Sequence, residues 1–158
     1  MSNGRGASGL KQLLICRVSS KLCGLPLEHV LETMRPLPLE ELANMPSFVR
    51  GVALIRGRPT PVIDGGVLLG SPARQQGAST RLLTLKMGER RVALWVDAVV
   101  GIRGIEGAAL EELPLVLRES QADQVDALGT LDAELLLLLE HTRLLTEAHF
   151  ESLREASG

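Results

Sequence analysis

The chain has 158 residues, with 17 basic and 19 acidic side chains and a formal net charge of −2. That length fits one domain, or two small units sharing a core, and it buries enough apolar surface to fold without a metal or a disulfide staple. So even a charge balance gives the whole-molecule field no pull toward nucleic acid or an anionic membrane, and any binding must come from a local patch.

Residues Met1 to Gly9 are rich in Gly and Ser and lack an apolar stretch, so 1–10 reads as a disordered tail and not a signal peptide. Leu14, Cys16 and Val18 alternate with Ile15 and Arg17; Ser19-Ser20-Lys21 then turns the chain into Leu22 to Leu27, the pattern of a hairpin. Cys16 and Cys23 sit in these apolar stretches with no C-x-x-C or paired-His spacing, so they read as core thiols in a reducing cytoplasm. Between Pro36 and Pro46, Leu39-Glu40-Glu41-Leu42-Ala43 predicts a helix of at most about two turns. The stretch 70–79, with Pro72 and two glutamines, is a connection. Leu83, Leu85 and Met87, the Gly88-Glu89-Arg90 turn, and Val92, Leu94 and Val96 form a second hairpin, after which Gly101, Gly104 and Gly107 mark a loop. The apolar run Leu135 to Leu139 is far shorter than the roughly 20 residues of a membrane-spanning helix and reads as a buried strand. Thr146 as N-cap, Glu147 in the first turn and a Leu145–Phe150 staple predict a short C-terminal helix within 146–158.

The chain also repeats itself. Without gaps, Leu14 falls on Leu83, Cys16 on Leu85, Leu25 on Leu94, Leu27 on Val96 and Val30 on Val99; Arg50 to Leu69 falls on Asp126 to Leu145, with Val62 on Leu138 and Asp64 on Glu140. Each half carries a hairpin and then a second apolar stretch ending in an acid and a Leu pair, which predicts two similar β-subdomains divided at 70–79.

Catalytic apparatus is absent from the pattern. His29, His141 and His149 lie outside any H-E-x-x-H or Cys/His cluster, and the neighbouring carboxylates Glu40-Glu41 and Glu111-Glu112 point in different directions on a helix or strand. Arg56-Gly57-Arg58 lacks the Lys-Ser/Thr end of a phosphate-binding loop. Trp95 alternates away from Val92, Leu94 and Val96, which leaves it as a second-layer core residue or an exposed anchor.

The informative stretch is Val49 to Asp64, VRGVALIRGRPTPVID: two apolar strands around a turn at Arg56-Gly57-Arg58. An arginine on a turn is normally solvated, but two tight apolar strands would give Arg56 a rigid support, as an orienting interface contact requires. The run Gly51-Val52-Ala53-Leu54-Ile55-Arg56-Gly57, followed by Pro61-Val62-Ile63-Asp64, resembles the central signature of CheW-like domains, the adaptors of bacterial chemosensory arrays. Leu25-Pro26-Leu27-Glu28-His29-Val30, the lead-in Pro46 to Gly51, Val92 to Asp97 with Val99 and Gly101, and Leu135 to Leu145 follow in the family's order, so that the resemblance runs from about Leu13 to Thr146.

The resemblance implies an all-β fold of two SH3-like five-stranded β-barrel subdomains: a single CheW-like domain over 11–147, its first subdomain about 20–72 and its second about 80–145 plus the N-terminal strand. Closed barrels hide their strand edges, as suits an adaptor. It further implies no enzymatic activity and no cofactor or metal. The expected role is to couple a chemoreceptor's cytoplasmic signalling tip, held in a groove between the barrels, to the regulatory domain of a CheA-type histidine kinase in chemotaxis, in the cytoplasm at receptor arrays, without nucleic acid and without membrane insertion. Arg56 corresponds to the Arg of the family's L-R-G turn, with Gly57 beside it; Val30 and Glu32 match an apolar–acid pair facing the receptor helices, and Gly51 the glycine beside the groove. Val52 and Leu54 are the coarse candidates for the kinase surface. Thr33, Cys23 and Gly65-Gly66 depart from the family's usual residues. An adaptor of a non-flagellar chemosensory pathway would use the same surfaces; a nucleic-acid module built on Arg50, Arg56 and Arg58 would need a wider basic face and aromatic platforms.

Overall fold

A computed structural model describes residues 9–112, 125–139, 145 and 151. Within them lie eleven strands: β1 (Leu10–Val18), β2 (Lys21–Pro26), β3 (Val30–Met34), β4 (Val49–Ile55), β5 (Arg58–Asp64), β6 (Arg81–Met87), β7 (Arg90–Val96), β8 (Ala98–Glu106), β9 (Glu111–Glu112), β10 (Val125–Leu131) and β11 (Glu134–Leu139). One helical turn, α1 (Gly65–Leu68), follows β5. The strands form two sheets, ordered β8-β1-β2-β11-β10-β9 and β3-β6-β7-β5-β4.

The internal repeat is written into this topology. The β1–β2 hairpin corresponds to β6–β7, β3 to β8, and β4–β5 to β10–β11, so that, β9 apart, the two sheet orders are the same list of equivalent strands. Even the irregularities match: the register shifts at Leu31 in β3 and Val100 in β8, and at Arg50 in β4 and Asp126 in β10. The parallel contacts correspond as well, Leu138 opposite Gly24 and Val62 opposite Ala93.

The sheets do not divide the chain at 70–79, however. Each combines the first hairpin of one half with the later strands of the other, so β6–β7 joins β3, β4 and β5, and β1–β2 joins β8, β10 and β11. Hydrophobic pattern marks which residues are buried but not which partner strand covers them; of the exchange, the resemblance had set only the N-terminal strand with the second subdomain, and β2 goes with it.

Each sheet closes on itself through the segment that follows its edge strand. After β3, Glu40 exchanges two backbone hydrogen bonds with Val52 of β4, 2.9 and 2.8 Å; after β8, β9 pairs with β10 at the equivalent place, Glu111 opposite Leu128. The β1 barrel encloses Leu13, Ile15, Leu22, Ile105, Ala127, Leu136 and Leu138, and the β6 barrel encloses Ala53, Ile55, Val62, Leu82, Ala93 and Trp95. A third cluster, with Leu14, Cys16, Cys23 and Leu25 from one sheet and Ile63, Leu83, Leu85 and Leu94 from the other, glues the barrels together.

Several local expectations change. The helix expected between Pro36 and Pro46 does not form: Pro36 and Pro38 hold the chain extended, and the backbone of Glu40 is engaged by Val52. Gly101 and Gly104 lie not in a loop but in β8, where Gly101 has φ +149 beside the bulge. The first strand begins at Leu10, the last residue of the stretch read as a tail. Trp95 is core, 5% exposed. The expected C-terminal helix, the N-terminal tail up to residue 8, His141 and His149 lie outside the described residues, apart from Glu151, which is helical.

Candidate partner-binding surfaces

The turn between β4 and β5 is tight. Ile55 pairs with Arg58, and Arg56 (φ 53) and Gly57 (φ 75) both take the left-handed conformation of a twisted two-residue hairpin turn. It projects the Arg56 side chain toward β3, where its Nε donates to Glu32 Oε2 at 2.9 Å and its Nη2 to Glu32 Oε1 at 2.5 Å. The fork-to-fork geometry fixes both groups. That hydrogen bond, chiefly, holds the Glu32 carboxyl below its ordinary range, with the charge of Arg91 adding to it, and the carboxylate raises Arg56 in turn. Arg56 nonetheless remains 69% exposed along its side chain, so a positioned guanidinium faces outward.

The other expected residues divide into three settings. Val30, two residues before Glu32 on β3, is half-buried and packs on the core between the barrels. Gly51 is buried, and a Cβ there would lie 2.7 Å from the Glu40 carbonyl oxygen, so the close approach it permits in this fold is the barrel's own closure. Val52 is half-buried and Leu54 is 70% exposed. Together with Pro38, Leu39, Glu40 and Pro59 they line an open depression of about 320 Å³ beside the Arg56 turn. The proline and glutamate members of that depression escaped the sequence reading, although the Pro36-x-Pro38 spacing, which favours extended chain, was a signal that 35–40 lies along a sheet edge.

Arg50 has an inward role. Its Nε donates to Asp64 Oδ2 at 2.8 Å, its guanidinium carbon stands 3.8 Å from the centre of the Trp95 ring, and it donates to the carbonyl of Arg74 in the 70–79 connection. Of the trio Arg50, Arg56 and Arg58, Arg50 thus turns inward to Asp64 and Arg56 is paired with Glu32. Among the described residues no group of three or more His, Cys, Asp or Glu could hold a metal ion, and no helix is long and apolar enough to cross a membrane.

Comparison with known proteins places this geometry. The model of the CheW-like domain matches residues 12–149. The chain belongs to the CheW-like family. Protein FrzA of Myxococcus xanthus is 33% identical over 135 residues, covering 84% of this chain and 83% of FrzA. The chemotaxis protein CheW of Klebsiella aerogenes is 24% identical, covering 86% of this chain and 82% of that one. The crystal structure of the scaffolding protein TtCheW from Thermoanaerobacter tengcongensis shares the fold at a TM-score of 0.80 and 21% identity, over 89% of this chain and 95% of the other. The mainly-β CheW-like architecture expected from the sequence is thus the architecture found, and the family is one of chemotaxis and chemosensory signalling.

Proposed function

We propose that this CheW-like protein is a non-enzymatic adaptor that couples the cytoplasmic signalling tip of a chemoreceptor to the regulatory domain of a CheA-type histidine kinase, in the cytoplasm beneath receptor arrays. The observation that carries this reading is Arg56: within the family's signature stretch, Glu32 holds an outward-facing guanidinium in a fixed orientation on a two-residue turn. Such a group orients a docking helix more than it adds affinity. Val30, beside Glu32, supplies apolar contact, and the depression at Val52 and Leu54 takes an apolar side chain of the kinase domain.

The test is a titration of the purified chain against a receptor signalling-tip fragment and a kinase regulatory domain from the same genome, with Arg56→Ala and Leu54→Glu alongside. The wild type binds both, Arg56→Ala weakens at least one partner while remaining folded, and Leu54→Glu weakens the kinase domain. Absence of binding to either partner by the wild type would remove the chemosensory role while leaving the fold intact.

A further inference from the structure

The two barrels differ at equivalent ends. In the β1 barrel, Arg17 and Glu134 form a bidentate ion pair, with Arg17 Nη2 2.7 Å from Glu134 Oε1, and Arg103 pairs with Asp132 at 3.3 Å. There two cations meet two carboxylates.

The internal repeat sets Lys86 where the β1 barrel has Arg17, and Arg58 where it has Glu134. Lys86 lies opposite Arg91 on β7 as Arg17 lies opposite Leu22 on β2, and Arg58 closes its turn on Ile55 as Glu134 closes on Leu131. Here the carboxylate of the pair is replaced by a second cation. Lys86 and Arg58 are both exposed, and among the described residues neither has a salt bridge. Arg56 and Arg91 act on one carboxylate, Glu32, which they hold below its ordinary value; Lys86 lies directly opposite Arg91, and Arg58 follows Arg56 in the same turn. Glu89 and Arg90, at the tip of the same hairpin, offset one another in charge.

Lys86 and Arg91 are like charges directly opposite on adjacent strands, and Arg58 lies on β5 at the other side of β7, so the cations repel and an incoming anion relieves that repulsion. We propose that Arg58 and Lys86, with Arg91 beside them, form a receiving site for a carboxylate side chain of a partner protein, which takes the place that Glu134 holds in the β1 barrel. The guanidinium fork of Arg58 suits a carboxylate, and its neighbour Arg56 extends the same rim. A nucleic acid fits less well: the net charge is −2, the rim has four cations where a duplex engages about 6–10, and Trp95 is buried and gives no stacking platform. The site goes beyond the adaptor reading and requires only that the partner present acidic side chains.

The test uses the full chain and three probes: a glutamate decamer, a glutamine decamer, and a single-stranded oligonucleotide matched in charge to the first, followed by NMR through backbone and arginine side-chain signals. The glutamate peptide shifts the signals of Arg58, Lys86 and Arg91 and weakens as salt rises; the glutamine peptide does not bind. Arg58→Glu, which rebuilds the pairing of the β1 barrel, lowers the affinity roughly tenfold, while Arg103→Gln at the other barrel leaves it unchanged. Should Arg58→Glu fail to fold, Arg58→Gln gives a smaller loss in the same direction. No saturable binding of the glutamate peptide at low salt, equal affinity in a folded Arg58 variant, or tighter binding of the oligonucleotide than of the peptide would each overturn the proposal.

Discussion

Glu32 and Arg56 stand on opposite flanks of the β3-β6-β7-β5-β4 sheet and meet as a bidentate pair. Three strands separate β3 from β4, so the contact exists only because the sheet has curled until its flanks approach. Arg103 and Asp132 span the other sheet in the same way. Closure of the barrel is therefore what presents Arg56, and the first expectation concerns the charge that holds it.

Glu32 and Glu134 are each held below the ordinary carboxyl value of 4.5, chiefly by hydrogen bonds from Arg56 and Arg17 respectively. A lowered folded-state value adds stability above the ordinary value and loses it as pH falls through the depressed one. The melting temperature of the wild type should therefore drop below pH 4.5, and the Arg17→Ala/Arg56→Ala double variant should show a shallower drop over the same range. Both pairs are solvated, so the two proteins should differ little at neutral pH. Thermal melts by circular dichroism across the acid range decide this, and parallel profiles would refute the assignment.

Asp64 does more than pair with Arg50. Its side chain is 6% exposed, its Oδ1 accepts from the Val67 N–H to cap α1 at 3.1 Å, and its Oδ2 accepts from Arg50 over the Trp95 ring. Asp64→Ala should cost about 2–4 kcal/mol, from a lost cap and a half-buried cation left without its partner. Urea unfolding measures it, and a cost within that of an ordinary surface substitution would show that the cluster is not structural.

Gly51 and Gly57 belong to the same signature stretch but carry different demands. At Gly51, with φ +155, an added Cβ meets the Glu40 carbonyl at 2.7 Å; at Gly57, with φ +75, it meets nothing within 4 Å. Gly51→Ala should thus break the Glu40–Val52 closure and cost about 2 kcal/mol or more, whereas Gly57→Ala should cost about 1 kcal/mol, the strain of the turn alone. Ala133, φ 66, already tolerates the equivalent position in the other barrel. Equal costs would contradict the closure argument.

Cys16 and Cys23 face one another across β1 and β2, both fully buried in the core between the barrels. Burial raises the Cys16 thiol well above its usual value and pushes Cys23 up to about 12. Because the thiolate is the reactive form, neither cysteine should be alkylated by iodoacetamide in the native protein at pH 8, and both should react once it is unfolded. As pH rises from 9.0 toward about 12, the unfolded chain ionises first and stability should fall. Rapid native labelling, read by intact mass, would place a thiol at the surface instead.

Much was legible in the chain before any fold was known. The apolar runs around Leu14, Cys16 and Val18 and around Leu83, Leu85 and Met87, each followed by a polar turn, located both hairpins; both faces of these strands are buried, one inside a barrel and one between the barrels. Gap-free self-similarity located the repeat, and the structure sets its bulges at equivalent positions in the two halves. The Ile55-Arg56-Gly57 stretch marked the turn. Fold, family and the position of Arg56 were thus properties of local pattern.

Tertiary structure alone decided the rest, for one reason: pairing between strands distant in sequence leaves no mark on either strand alone. Nothing in β6–β7 states that it joins β3 and β5 rather than β8, and nothing in Pro36 to Glu40 states that an edge of β4 awaits it. Nor does anything in Gly51 itself state that it packs against the Glu40 carbonyl. Arg58 and Lys86 looked like ordinary surface charges until the exchange of hairpins set them where the other barrel holds an arginine and its glutamate. Sequence determined which residues must be buried and where the chain must turn; only the folded chain determined which charges are left facing one another.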